Sequence, residues 1–281
     1  MISLLEIINP FEAFQYSFFL RALLVVALLS LVLPIIGVRL SSKGFSMVAD
    51  TLSHTSLAGI AIGLVAGSMP LIYSIIFSIV ASLLIELIRR KFPRQSEIAL
   101  AIILSFSLGL TGILSKFAPA SKFESYLFGS LFTVNMNEVY ILIGLTAFVI
   151  LYEVMFYRSN LAIAFNEDEC KANGMNVILL STIDTIITSV MIALASNIVG
   201  SLLVTSFISI PVAVSLKTSK SSLTCNIISA VSSLIAGFLG LFISFSFSLH
   251  VGGTIVMVNI FILLVVLLVK GISYKRKRKK I

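Results

Sequence analysis

Asp50 and His54 stand four residues apart in the stretch VADTLSHTSLAGIAIG, whose other residues suit lipid. On a helix, positions i and i+4 share a face, so a carboxylate oxygen and an imidazole nitrogen there can converge on one divalent cation. Ionisable side chains at membrane depth are costly, and they sit where a cavity, a pathway or a partner compensates them. The pair therefore reads as functional, beside one structural alternative: an Asp to His hydrogen bond tying two turns or two helices together. Neither ligand suffices alone. Imidazole with carboxylate suits Mn²⁺, Fe²⁺ or Zn²⁺ without choosing among them, and the lack of a nearby cysteine disfavours a soft metal. Ser53 beside His54 does not make a hydrolase, because neighbours i and i+1 diverge on a helix. Neither H-E-x-x-H nor G-x-S-x-G occurs in the chain.

The elements that must position this pair follow from composition. Hydrophobic residues make up 58% of the 281, charged residues only 11%, and the mean hydropathy is +1.12, far from soluble-domain usage. Apolar runs near the roughly 20-residue spanning length recur along the chain and leave no stretch for a soluble domain. An all-α polytopic membrane protein with a single transmembrane domain over 1–281 is expected. Its spans fall at about 17–38, 45–66, 70–89, 96–115, 137–157, 177–195, 199–216, 223–244 and 254–271. The first run is long, carries Arg21 and lacks a small-residue cleavage site, so it is expected to stay as a helix. Counted from Lys43 at about 1.5 Å per residue, Asp50 lies about 10 Å and His54 about 16 Å along the second helix, inside a hydrocarbon core of about 30 Å.

Charge sets the expected orientation. The tail KGISYKRKRKKI, residues 270–281, holds seven Lys or Arg, and the positive-inside bias puts it in the cytoplasm. Alternating back through nine spans collects 17 of the 20 basic residues on that side and leaves Arg21, Lys116 and Lys122 outside. The weakest join is ASNIVGS, between the sixth and seventh spans; without a turn there the count falls to eight and the N-terminus moves inside. The net charge of +8 and pI near 9.6 come mostly from loops and tail, so they speak of anionic membrane lipid and topology, not nucleic acid.

Other polar residues take a place in this frame. Asp184 stands alone among Ile, Thr and Ser in the sixth span and reads either as a third ligand or as the partner of a basic group. Thr185, Thr188 and Ser189 read as helix contacts. Glu86, Glu97 and Glu153 fall near cytoplasmic ends, where Arg89, Arg90 or Arg158 can pair with them. His250 reads as a solvated histidine of an outer loop, and Ser232, Ser233, Gly237 and Gly240 as close-packing positions. Cys170 and Cys225 lack metal-type spacing and take no role.

Two segments between spans are organised beyond mere connection. In YRSNLAIAFNEDECKANGMNV, Asn166 is an N-cap type, Glu167, Asp168 and Glu169 follow where a helix dipole favours negative charge, and Gly174 is a C-cap type. A short surface helix over about 164–175 is expected on the cytoplasmic face. The outer segment SKFAPASKFESYLFGSLFTVNMNEVY mixes aromatic residues with Gly129 and Ser130 and reads as re-entrant or interfacial.

These residues resemble a known family, the membrane permease subunit of manganese, zinc and iron type ABC importers, the metal-uptake branch of the type II importers. The block FSMVADTLSHTSLAGIAIG is similar to its signature, with Asp50, Ser53, His54 and Gly59 in place and Ala58 where a Pro is common, which implies a slightly straighter second helix. YLFGSLFTVNMNEVYIL resembles its external Tyr-Leu-Phe-Gly block. AFNEDECKANGMNV is similar to its coupling helix, with Asn166 where an Asp is usual, and VGSLLVTSFISIPVAVS resembles the helix that carries Pro211. The outer turn FSLHVGGTIVMV departs, having His250 and Val251 where a Pro and a small polar residue are usual.

The resemblance implies a type II importer permease fold and a transport subunit that is not itself an enzyme, and no G-x-x-x-x-G-K-[ST] occurs in the chain. It implies a cytosolic ABC ATPase docked on Asn166, Glu167, Asp168, Glu169 and Gly174, and a second permease copy completing a two-fold pathway. An extracytoplasmic metal-binding protein would deliver the ion. No cofactor is held permanently; the transported manganese, zinc or iron ion is the cargo of Asp50, His54 and, as a further candidate, Asp184. The rival reading is a secondary transporter driven by protons through Asp50 and Asp184, which would call for inverted repeats and broken mid-membrane helices.

Overall fold

A membrane-spanning segment satisfies its backbone within itself when it is helical. The structure, a computed structural model, describes residues 14–45, 47–92, 95–129 and 131–278, and among these every regular element is a helix. In chain order they are α1 (Ser17–Ser42), α2 (Val48–Val65), α3 (Pro70–Lys91), α4 (Ser96–Ser115), α5 (Ala120–Phe128), α6 (Met136–Phe165), α7 (Glu167–Ala172), α8 (Val177–Val199), α9 (Ser201–Thr218), α10 (Ser222–Phe247) and α11 (Val251–Arg278). Among the described residues nine are long and apolar enough to cross a membrane, all but α5 and α7. Residues 279–281 of the basic tail, Arg94 and Ser130 lie outside the described residues.

The helix lengths position the site. α2 is the most enclosed span, 72% of it buried against 22% for α4 and for α11, so it runs through the middle of the bundle while those two line its edge. It packs on α3, α4, α8 and α9, while α1 packs on α6, α9 and α10. α6 runs two turns beyond the expected 157, to Phe165. Its 30 residues reach about 45 Å, longer than a hydrocarbon core of about 30 Å, which is enough length for its last turns to hold α7 beyond such a core. The glycines of α10 close on their neighbours as expected: a Cβ on Gly237 would meet Val26 of α1 at 2.5 Å, and one on Gly240 would meet Ile255 of α11 at 2.6 Å.

The join between the sixth and seventh spans is a true corner. Only Gly200 separates α8 from α9, at φ 87° and ψ 151°, a backbone region that side-chain-bearing residues rarely enter. Gly129, which ends α5 at φ 87°, rests on that corner, where a Cβ would stand 2.1 Å from the Val199 carbonyl oxygen. The outer segment is thus a short helix followed by a 3₁₀ turn (Leu131–Thr133), pinned against the α8–α9 corner. Gly129→Ala is expected to lower the thermal unfolding midpoint of the purified protein, since strain of this type costs about 1–3 kcal/mol before the clash is counted. Gly109→Ala, where a Cβ meets nothing within 4 Å, is the control and should leave the midpoint unchanged or higher.

Candidate functional site

The polar residues of α2 divide into those that mount the helix and Asp50, which faces a groove. Ser53 Oγ donates to the Ser201 carbonyl oxygen of α9 at 2.9 Å. Thr55 Oγ1 pairs with Ser107 Oγ of α4 at 3.0 Å, and Ser56 Oγ with Ser74 Oγ of α3 at 2.9 Å. Gly59 and Gly63 bring the backbone of α3 into direct contact: a Cβ would lie 2.6 Å from the Tyr73 carbonyl oxygen at the first and 2.7 Å from Pro70 Cα at the second. Clamped on three sides, α2 cannot turn about its axis. Ser53 is fully buried and spent on α9, which closes the hydrolase reading.

Asp50 faces a groove of about 630 Å³, walled by Thr205, Ser206 and Ser209 of α9 and by Val256 and Met257 of α11. Its side chain is 39% exposed, that of His54 17%, and Asp50 Oδ1 stands 3.6 Å from His54 Nε2. This is too long for a hydrogen bond. It is close to the roughly 3.4 Å between two donors held about 2.1 Å from one tetrahedral ion. Among the described residues no cluster of three or more His, Cys, Asp or Glu side chains could close on an ion, so the pair could supply at most part of a coordination shell. The pair also lies nearer the end of its helix than the count from Lys43 implies. Gly44, at φ 77°, turns the chain before α2 opens at Val48. That leaves Asp50 about 3 Å and His54 about 9 Å along the helix, with Asp50 in the first turn at the positive end of the dipole.

Asp184 is not at this site. On α8, its Oδ1 lies 2.8 Å from Arg39 Nη1 and its Oδ2 2.6 Å from Lys43 Nζ, so it is the partner of basic groups. Arg39 also pairs with Glu153 of α6 and donates to Thr188 Oγ1 at 2.6 Å. Glu153 therefore takes Arg39 and not Arg158; five residues on, Arg158 is on another face of α6 and exposed. From the sequence, Arg39 and Lys43 counted only among the 17 basic residues of the expected cytoplasmic side. Their own i, i+4 spacing, facing two acids inside other spans, was the available signal. Glu86 pairs with Arg89 and Arg90 as expected. His250 is exposed in the turn between α10 and α11, and its carbonyl oxygen accepts from Thr254 Oγ1 at 2.9 Å. Cys170 and Cys225 are buried free thiols.

The surface helix α7 is shorter than 164–175, because α6 continues through Phe165 and Asn166 is extended at φ −153°. Asn166 Oδ1 accepts from the Glu169 N–H at 3.1 Å, and Gly174 turns the chain away at φ 79°. Glu167 points back to the bundle, where Arg89 Nη1 donates to it at 2.9 Å and Lys171 Nζ lies 3.2 Å away. Burial alone would push the Glu167 carboxyl up, but the hydrogen bonds and charges of Arg89 and Lys171 outweigh it and hold the group below its ordinary value. The stabilisation this gives is full above the ordinary carboxylate range and is lost only as pH falls through the lowered value, so α7 stays tethered at neutral and mildly acid pH. Asp168, with a side chain 95% exposed, Glu169 and Phe165, 86% exposed, face outward.

Arg89 and Arg90 tie the end of α3 to α7 and α8, and the Arg39 cluster joins α1, α6 and α8, so these ends share one face of the bundle. Residues 15–270 match the model of the ABC 3 transport family. The chain belongs to that family. It is a transport subunit, and a secondary transporter no longer accounts for it. Over 275 residues it is 29% identical to the manganese transport system membrane protein MntC of Listeria monocytogenes, covering 95% of this chain and 97% of that protein. The manganese import system permease protein ScaB of Streptococcus gordonii is 28% identical over 266 residues, with coverage of 94% and 96%. Among solved structures, PsaBC from Streptococcus pneumoniae in complex with Fab superposes with a TM-score of 0.79 at 26% identity, over 91% of this chain and 92% of that one.

Proposed function

We propose that this chain is the membrane permease of an ABC importer for a divalent transition metal, manganese before zinc or iron, and that Asp50 and His54 are ligands of the ion in transit. The observation that carries the reading is the 3.6 Å separation of Asp50 Oδ1 and His54 Nε2 on a helix clamped on three sides, with Asp50 facing an open groove and His54 one turn deeper behind it. The relatives named for manganese support the choice of metal, as does a donor set of carboxylate and imidazole without thiolate. A second copy across a two-fold axis that set its own Asp50 and His54 against this pair would complete four protein donors. The whole chain is then one permease domain with its C-terminus in the cytoplasm. A cytosolic ATPase docks on Phe165, Asp168 and Glu169, and an extracytoplasmic metal-binding protein meets the opposite face.

Proteoliposomes holding the chain with its ATPase subunit test this reading. ATP-dependent uptake of radiolabelled Mn²⁺, competed by excess unlabelled Mn²⁺, is expected; uptake driven equally by a proton gradient without ATP would overturn it. Replacing Glu167, Asp168 and Glu169 by Lys is expected to break the tether to Arg89, reverse the outward charge and cost most of the co-purifying ATPase. Full ATPase recovery with that triple variant would remove α7 as the docking element.

A further inference from the structure

We infer that Arg89 is a positioning residue that carries displacement of α7 to the start of α2 and so to Asp50; this rests on α7 being the site where the ATPase docks. Three donors of Arg89 are fixed at once. Nε and Nη2 hold the two oxygens of Glu86 at 2.8 and 2.7 Å, and Nη1 holds Glu167 of α7 at 2.9 Å. The guanidinium is thereby set over the ring of Phe45, 5.6 Å from its centroid. Phe45 belongs to the short link between α1 and α2. Its N–H donates to the Leu40 carbonyl oxygen at 2.9 Å, and its carbonyl oxygen accepts from the Val48 N–H at 3.2 Å, the first residue of α2. Asp50 follows two residues later.

The other end of the link is held still. Lys43 is bound to Asp184 at 2.6 Å, and Asp184 to Arg39 at 2.8 Å, which anchors the exit of α1 to α8. Among the described residues, a shift of α7 therefore reaches the link through the contact of Arg89 with the Phe45 ring, while Lys43 provides the pivot. Arg89→Lys would keep the charge but could not present three donors in a plane to two carboxylates while standing over a ring. Contiguity alone does not establish coupling, so the test must read coupling itself.

The experiment measures ATP hydrolysed per Mn²⁺ transported in proteoliposomes, with the amount of bound ATPase subunit determined in the same preparations, for Arg89→Lys, Phe45→Leu and the double variant. Each single variant is expected to bind the ATPase as the parent does and to raise the ratio about tenfold. The double variant should be no worse than the poorer single, because both act through one contact. An unchanged ratio in either single variant, or multiplied effects in the double, would overturn the assignment. Phe45→Leu leaves every ion pair intact, so it carries the test alone if Arg89→Lys fails to accumulate. Failure of the docking reading is seen separately: the Glu167, Asp168 and Glu169 to Lys variant would then retain its ATPase.

Discussion

Asp50→Ala and His54→Ala are each expected to lower metal uptake at least about a hundredfold while the chain still inserts and still binds its ATPase. Even groups one bond removed from a metal ligand cost about 10–100-fold in affinity when replaced, and each of these substitutions removes a ligand outright. In a two-fold assembly each also removes two donors of four. The fold should survive, because the mounting of α2 depends on Ser53, Thr55, Ser56, Gly59 and Gly63, not on the pair. Asp50→Asn sharpens the result: it keeps size and a hydrogen-bonding oxygen but removes the charge, and it should lose uptake nearly as fully. Equilibrium binding of Mn²⁺ to the purified protein provides a readout apart from turnover. Normal uptake in either alanine variant would end the ligand assignment.

The parts of this architecture that follow a period were legible in the sequence. Apolar run lengths locate the nine long helices found among the described residues because a membrane helix must satisfy its own backbone, and Asn166, with three acids after it, marks α7 because an N-cap and a dipole act within one turn. Asp50 and His54 were legible for the same reason, as an i, i+4 pair is a local fact. What escaped was decided by contacts between distant segments. Nothing near Glu153 in sequence says that it faces Arg39, 114 residues away, because helix rotation is set by packing partners. The break before the second span was expected at 39–44, but its place was not: α1 runs on to Ser42, Gly44 turns the chain at φ 77°, and α2 opens only at Val48. The single-residue corner at Gly200 was suspected from composition, yet its fit against Gly129 requires the outer segment to be in place.

The charge cluster that sequence reasoning missed gives the second large expectation. Arg39, Glu153 and Asp184 are 7%, 8% and 3% exposed, and Lys43 completes two cations against two anions. Arg39→Ala would leave two carboxylates facing Lys43 alone. Removing one partner of a buried ion pair costs about 3–5 kcal/mol, because the other charge stays desolvated, and that is a large share of the roughly 5–15 kcal/mol that holds a domain together. A several-fold loss of monodisperse protein and a lowered unfolding midpoint are expected. The double variant Arg39→Met, Glu153→Leu should recover most of the midpoint: it deletes one ion of each sign, leaves Lys43 on Asp184, and replaces the pair by apolar groups, an exchange that is often neutral. Asp184→Asn separates a structural from a transport role for the third acid. Kept as a partner of Arg39 and Lys43, it should lower the midpoint and reduce uptake only in proportion to the folded protein lost. Abolished uptake at an unchanged midpoint would instead make Asp184 part of the ion path and would move the metal site from the α2 groove toward α8.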